Sequence, residues 1–86
     1  MYKILYKKTV EKELRKIPKS TLTAIISKIQ KLAENPRPNG SVKLRGDINL
    51  YRIRYSDYRI IYSINDSRLV VFVVKVAHRK EVYRDY

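Results

Sequence analysis

The apolar residues of this chain change period in mid-chain. From Val10 to Ala33 they recur every three or four residues, and from Ser41 almost to the C-terminus they alternate. A 3.6-residue period lays one stripe of a helix on a core, whereas a two-residue period lays one face of a strand there, so helices come first and a sheet follows. The switch falls in "ENPRPNG", where two prolines and a glycine end a helix and open a loop.

Ahead of the helices, "YKILYKK" alternates and is short, as an opening strand would be. Thr9 offers an N-cap with Glu11 and Glu13 close behind it, and Val10, Leu14 and Ile17 keep helical spacing until Pro18. A second helix is expected from Ser20 or Thr21, with Leu22, Ile25, Ile26, Ile29, Leu32 and Ala33 as its apolar stripe. Beyond the loop, "SVKLRG" reads as a short strand and Asp47 to Asn49 as a turn. The segment Arg68 to Val76 is apolar on both faces, the mark of a central strand. The tail "HRKEVYRDY" supports a turn of helix at most. The expectation is an α+β fold in one domain, residues 1–86, with element order β-α-α-β-β-β. A curved, mostly antiparallel sheet would carry the helix hairpin on one face and leave the other open.

Between the short strand and the central one lies "LYRIRYSDYRIIYSI", two alternating runs about Ser56-Asp57. A two-residue turn there pairs Tyr55 with Tyr58, Arg54 with Arg59 and Arg52 with Ile61. The tyrosines, Ile53, Ile60 and Ile64 then share the face under the helices, and Arg52, Arg54 and Arg59 share the other. A turn one residue longer or shorter breaks this arrangement. Like charges opposite each other destabilise a sheet, so the Arg54–Arg59 pair calls for an anion. Guanidinium is always charged and grips phosphate in fork geometry, which makes the three arginines, with Lys43 and Arg45 upstream, a candidate phosphodiester cradle. The competing reading is a solvated face that keeps the sheet soluble and blunts its edges.

Twenty Lys and Arg against eight Asp and Glu give a net charge of +12, which favours a polyanionic partner through counterion release. A solubilising charge halo or a scaffold surface is the alternative. With no cysteine, the chain has no disulfide, thiolate metal site or cysteine nucleophile. The N-terminus lacks an apolar signal core, and the run Leu69 to Val74 is too short to span a bilayer, so a cytoplasmic protein is expected. The acids are scattered, His78 is the single histidine, and no glycine-rich phosphate loop exists, so neither a metal nor another cofactor is expected. A phosphodiester chemistry without a metal points to RNA, whose own 2′-hydroxyl can attack the adjacent phosphate. In "KVAHRKEVYRDY", His78 is of the residue type best suited to proton transfer near neutral pH, Arg79 is a further phosphate ligand, and Tyr83 could stack on a base or transfer a proton.

The ordered set "KLRG", "YRIRYSDYRIIY" and "HRKEVY" resembles the RelE/ParE superfamily of toxin–antitoxin toxins, and within it the RelE-like messenger RNA interferases. The resemblance runs over essentially the whole chain. It implies a ribosome-dependent, metal-independent endoribonuclease that cuts messenger RNA in the decoding site by 2′-hydroxyl attack, and a small acidic antitoxin that neutralises it. Family positions carry over onto Arg45, Arg52, Arg54, Arg59, Arg79 and Tyr83 as groups that hold the backbone, stabilise charge and stack on a base. Relatives with a "YKIK"-type strand have lysines where Arg52 and Arg54 stand, and arginine is a poor general base. By hypothesis His78 takes the proton-transfer role, with Glu81 as second candidate. Two other readings remain: a ParE-like inhibitor of DNA gyrase, which shares the fold but against which Arg52, Arg54, Arg59, His78, Arg79 and Tyr83 argue, and an RNA-binding domain that holds phosphates on the same face without cutting.

Overall fold

Strand β1 (Lys3–Tyr6) leads into helices α1 (Lys8–Arg15) and α2 (Lys19–Lys31). The rest of the chain forms β2 (Val42–Lys43), β3 (Leu50–Tyr55), β4 (Tyr58–Asn65) and β5 (Val70–His78), in a computed structural model that describes residues 1–46 and 49–81. The turn expected at Asp47 and Ile48, and the tail with Tyr83, lie outside the described residues.

Both helix starts differ from the sequence expectation. Helix α1 begins one residue before Thr9, with Lys7 extended at its N-cap, so Thr9 sits in the first turn and caps nothing. Helix α2 begins at Lys19 with Pro18 at its N-cap, ahead of Ser20 and Thr21. The ring holds φ at −53°, and the Pro18 carbonyl accepts the Leu22 N–H at 2.8 Å. Proline therefore ends one helix and opens the next, since its missing N–H costs nothing at a helix start.

The strands form one sheet in the order β1-β5-β4-β3-β2, antiparallel throughout except that β1 runs parallel to β5. Strand β5 is interior, as its two apolar faces require, but it starts two residues later than the pattern suggested. The Asn65 side-chain oxygen accepts from Ser67 Oγ at 2.8 Å and from the Arg68 N–H at 3.0 Å, which keeps Arg68 and Leu69 in the turn. Leu69 leaves that turn at φ 54°.

Val10, Ile17, Ile25, Ile29 and Leu32 from the helical layer pack against Ile53, Ile60, Tyr62, Ile64, Val71, Val73 and Val76 of the sheet, with Tyr51 and Tyr58 at the margin. A bulge interrupts the β4–β5 ladder after Ile61, where the partner on β5 jumps from Lys75 to Val73. Beside it, Glu13 of α1 accepts the Val76 N–H at 3.0 Å through Oε1 and pairs with Lys75 Nζ at 2.9 Å through Oε2. One carboxylate thus ties the first helix to the irregular part of β5, and that positions the end of β5 over which the candidate site is built. The sheet face away from the helices is not wholly polar: Ile61 and Ala77 are buried there with Leu44, Leu50 and Val74 packed against them.

Candidate nucleic-acid site

The β3–β4 turn sets the geometry. Ser56 adopts φ 54°, the left-handed conformation that a tight hairpin turn needs at its first central position. The register that follows pairs Arg54 with Arg59, Tyr55 with Tyr58 and Arg52 with Ile61, as the alternation predicts. The two arginines of the like-charged pair do not sit alike. Arg54 is exposed, whereas Arg59 is only 7% exposed and is the one buried charged residue among the described residues. Arg59 Nη1 donates to the Ser56 and Tyr58 carbonyls, each at 3.1 Å. Two carbonyl dipoles hold the buried cation in place without neutralising it.

The end of β5 closes on the same turn. The Arg79 N–H donates to the Asp57 carbonyl at 2.7 Å. Its Nε lies 3.9 Å from Asp57 Oδ1, with both side chains more than half exposed, so the ion pair is long and hydrated. Arg54, Arg59 and Arg79 therefore gather at one end of the sheet with Asp57 as the acid at the turn. Arg52 lies further along β3, half-buried, between Val42 of β2 and Ile61 of β4.

Three other sequence candidates sit elsewhere. Lys43 pairs with Tyr51, so it projects on the helix side of the sheet, while Val42 shares the arginine face. Arg45 is exposed in the turn after β2, one residue past Leu44, whose N–H bonds the Leu50 carbonyl at 2.9 Å. His78 pairs with Tyr58 and meets its ring edge-on, with centroids 5.8 Å apart, which puts it on the opposite side of the strand end from Arg59. Its Nδ1 takes only a long 3.4 Å contact from the Lys80 N–H. There it lines a cleft of about 240 Å³ with Glu13, Lys16, Tyr58 and Glu81. Among the described residues, no three His, Asp or Glu side chains come together as a metal site would require.

Sequence reasoning missed Glu13 and Tyr58 as walls of that cleft, and it missed a second arginine centre. Arg37 in the α2–β2 loop forms a bidentate pair with Asp66, at 3.2 and 2.9 Å, and donates from Nε to Tyr51 Oη at 3.2 Å. The Tyr2 hydroxyl donates to the same carboxylate at 2.6 Å. Arg37 beside Asp66 holds that carboxyl below its ordinary range, and the Tyr2 bond adds to the effect. No local pattern reveals this cluster, because its members come from four segments.

The family description "ParE toxin of type II toxin-antitoxin system, parDE" matches residues 4–83. The chain belongs to the RelE/ParE toxin superfamily. Within it the chain is RelE-like: it is 37% identical over 78 residues to the mRNA interferase toxin RelE of Escherichia coli K12, covering 86% of this chain and 81% of that one. In three dimensions it resembles the RelE of the archaeal RelE-RelB complex from Pyrococcus horikoshii, with a TM-score of 0.81, 32% identity, and 91% and 94% of the two chains covered. The isolated E. coli RelE toxin gives a TM-score of 0.79 at 34% identity, with 99% and 94% covered. The fold of this RelE-like toxin is thus an α+β arrangement of helix hairpin and five-stranded mixed sheet that RelE toxins share.

Proposed function

We propose that this RelE-like toxin is an endoribonuclease that cuts messenger RNA on the ribosome and is held inactive by an acidic antitoxin. The observation that carries the reading is the gathering of Arg54, Arg59 and Arg79 at one sheet end, where among the described residues a long contact to Asp57 is what offsets them. A phosphodiester is the ligand that such a set of forks fits. In the reaction, the substrate's 2′-oxygen attacks the adjacent phosphorus, the P–O5′ bond breaks, and a 2′,3′-cyclic phosphate and a 5′-hydroxyl result. The nucleophile belongs to the RNA, so the chain's task is to place the phosphate and stabilise the extra negative charge of the pentavalent state.

Arg59, buried and fixed on the turn carbonyls, is the preorganised donor, and the exposed Arg54 and Arg79 close around the phosphate. Arg52, Lys43 and Arg45 add field along β2 and β3, and Tyr83 is assigned base stacking on the family resemblance. An arginine does not take the 2′-hydroxyl proton at neutral pH. Because His78 lies across the strand end from Arg59, the 2′-hydroxyl proton passes to water in this reading, and water in turn protonates the departing 5′-oxygen. The net charge of +12 suits an acidic partner that masks the arginine face, and the RelE-RelB toxin–antitoxin complexes among the similar structures support an antitoxin as that partner.

The test is a purified translation system with a defined message. Cleavage at ribosome-bound codons, leaving cyclic or 3′-phosphate ends, is expected, and an intact message over a folded toxin overturns the reading. One observation favours a second reading, inhibition of DNA gyrase: the matching family description names ParE. Gyrase-dependent DNA breaks with an intact message would establish it.

A further inference from the structure

We propose that the cleft between the end of α1, the start of β4 and the end of β5 is a nucleobase subsite, walled by the rings of Tyr58 and His78. The inference rests on the reading of this toxin as an RNA-acting protein. The two rings meet at 76°, Ile17 lines the cleft with them, and the charged side chains of Glu13, Lys75, Lys16 and Glu81 join the lining, the last two exposed at the rim. Aromatic rings set among polar groups match a base, whose faces stack and whose rim hydrogen-bonds. The cleft's volume of about 240 Å³ falls below the roughly 300–1,000 Å³ of pockets that enclose drug-sized ligands. One base fits that space better than a whole nucleotide, whose sugar and phosphate then lie outside.

The strand ends say where the phosphate would lie. Tyr58 precedes Arg59 on β4, His78 precedes Arg79 at the end of β5, and Tyr58 and His78 face each other in register. Consecutive strand residues leave opposite faces of a sheet only about 3.3 Å apart along the chain. The same two strand ends therefore offer rings to one side and guanidinium groups to the other. A nucleotide lying across the end of the sheet can set its phosphate against Arg59 and Arg79 while its base enters the cleft. Glu13 fixes the wall, because its carboxylate is held by Lys75 and the Val76 N–H and keeps the β5 backbone against α1. His78 is thus a stacking group in this geometry rather than the acceptor of a proton.

Backbone amide spectra of the full chain titrated with AMP, GMP, CMP and UMP, and separately with ribose 5-phosphate, test the cleft without the ribosome. The nucleotides are expected to shift Lys16, Tyr58 and His78 saturably, and ribose 5-phosphate is expected to shift Arg54, Arg59 and Arg79 only. Identical shift patterns from both kinds of probe overturn the subsite. His78→Ala should weaken nucleotide binding about tenfold, within the range of base–aromatic stacking, and His78→Phe should restore it. In the translation system the same pair separates the two roles of His78. Stacking predicts that His78→Ala alters cleavage unequally among codons and that His78→Phe recovers it; equal loss in both variants at every codon means proton transfer and overturns the proposal. Nucleotide binding is read independently of cleavage, so the subsite can fail while the nuclease reading stands, and the reverse.

Discussion

Where β4 turns into β5, Arg37 is matched by a full counter-charge: Asp66 takes two bonds from it, Tyr51 Oη takes a third, and its guanidinium carbon lies 5.3 Å from the centre of the Tyr51 ring. Where β3 turns into β4, at the other end of the same strand, two carbonyl oxygens hold Arg59, and the one carboxylate contact to Arg54, Arg59 or Arg79 among the described residues is Asp57 at 3.9 Å from Arg79. Residue type is the same at the two ends, and so is the sheet that carries it. The difference lies in neutralisation. A cation matched by a bidentate carboxylate clasps segments together and leaves little field for a ligand. Cations held by dipoles keep their charge, and a partner with negative charge must supply the match. One end of the sheet reads as a clasp and the other as a receptor.

Exchanging the effects of the two ends gives the largest expected difference. Arg79→Ala and Arg54→Ala should each lower ribosomal cleavage at least tenfold, or about 1.4 kcal/mol of transition-state stabilisation, with melting temperature little changed because both side chains are exposed. Arg59→Ala should lower cleavage as much and also cost about 1.5–3 kcal/mol of stability, since a buried charged donor leaves two carbonyls behind. Arg37→Ala should do the converse, with a lower melting temperature and cleavage within twofold of wild type per folded molecule. Cleavage kinetics beside thermal melts decide this. Wild-type rates in folded Arg54→Ala and Arg79→Ala, or a cleavage defect in folded Arg37→Ala, would erase the distinction.

Much of this arrangement was legible in the sequence where a local rule fixes it. The two-residue turn at Ser56-Asp57 makes the β3–β4 register a matter of counting, so Arg54 opposite Arg59 and Arg52 opposite Ile61 follow from alternation. Helical spacing likewise placed Val10, Ile17, Ile25 and Ile29 in the core. What alternation cannot carry is the pairing between segments. Lys43 was grouped with the arginines, yet its register with Tyr51 sends it to the helix side. His78 was grouped with Arg79, yet the bulge in the β4–β5 ladder sets the phase of β5 beyond Val74, and His78 faces Tyr58. Glu13 looked like a first-turn acid for the α1 dipole, and its bond to the Val76 N–H spans 63 positions of chain. The burial of Arg59 depends on two turn carbonyls, which no side-chain pattern encodes.

A medium-sized effect sharpens the clasp end. Tyr62 stacks on Tyr51, with centroids 5.9 Å apart, and its buried hydroxyl donates to the Pro36 carbonyl at 2.7 Å, so it anchors the loop that carries Arg37. Tyr62→Phe should cost about 1–2 kcal/mol by leaving that carbonyl without its donor, while cleavage per folded molecule stays unchanged. Burial pushes the Tyr62 phenol up to about 12, above the value near 10 of an unfolded tyrosine. A raised folded pKa contributes stability that is complete below about pH 10 and is lost as pH rises through about 12. In denaturant melts the gap between wild type and Tyr62→Phe should therefore narrow across that window. A constant gap would mean that the hydroxyl is hydrated in the folded state.

The smallest effect concerns the clasp carboxylate itself. Bonds from Arg37, then from Tyr2, lower the pKa of Asp66 in the folded chain. A depressed folded pKa contributes stability that is present above the unfolded value near 3.9 and disappears as pH falls through the folded one. Asp66→Asn should accordingly lower the melting temperature at neutral pH, and the two melting curves should converge as pH falls through the lowered folded value. Both side chains of the Arg37–Asp66 pair are substantially exposed, at 43% and 58%, so the shift should be modest and should shrink in high salt. Cleavage must stay at the wild-type rate in Asp66→Asn if the two ends are independent. A drop in cleavage with the fold intact would show that the clasp sets the geometry of the turn arginines along β4, and the separation of clasp from receptor would fall.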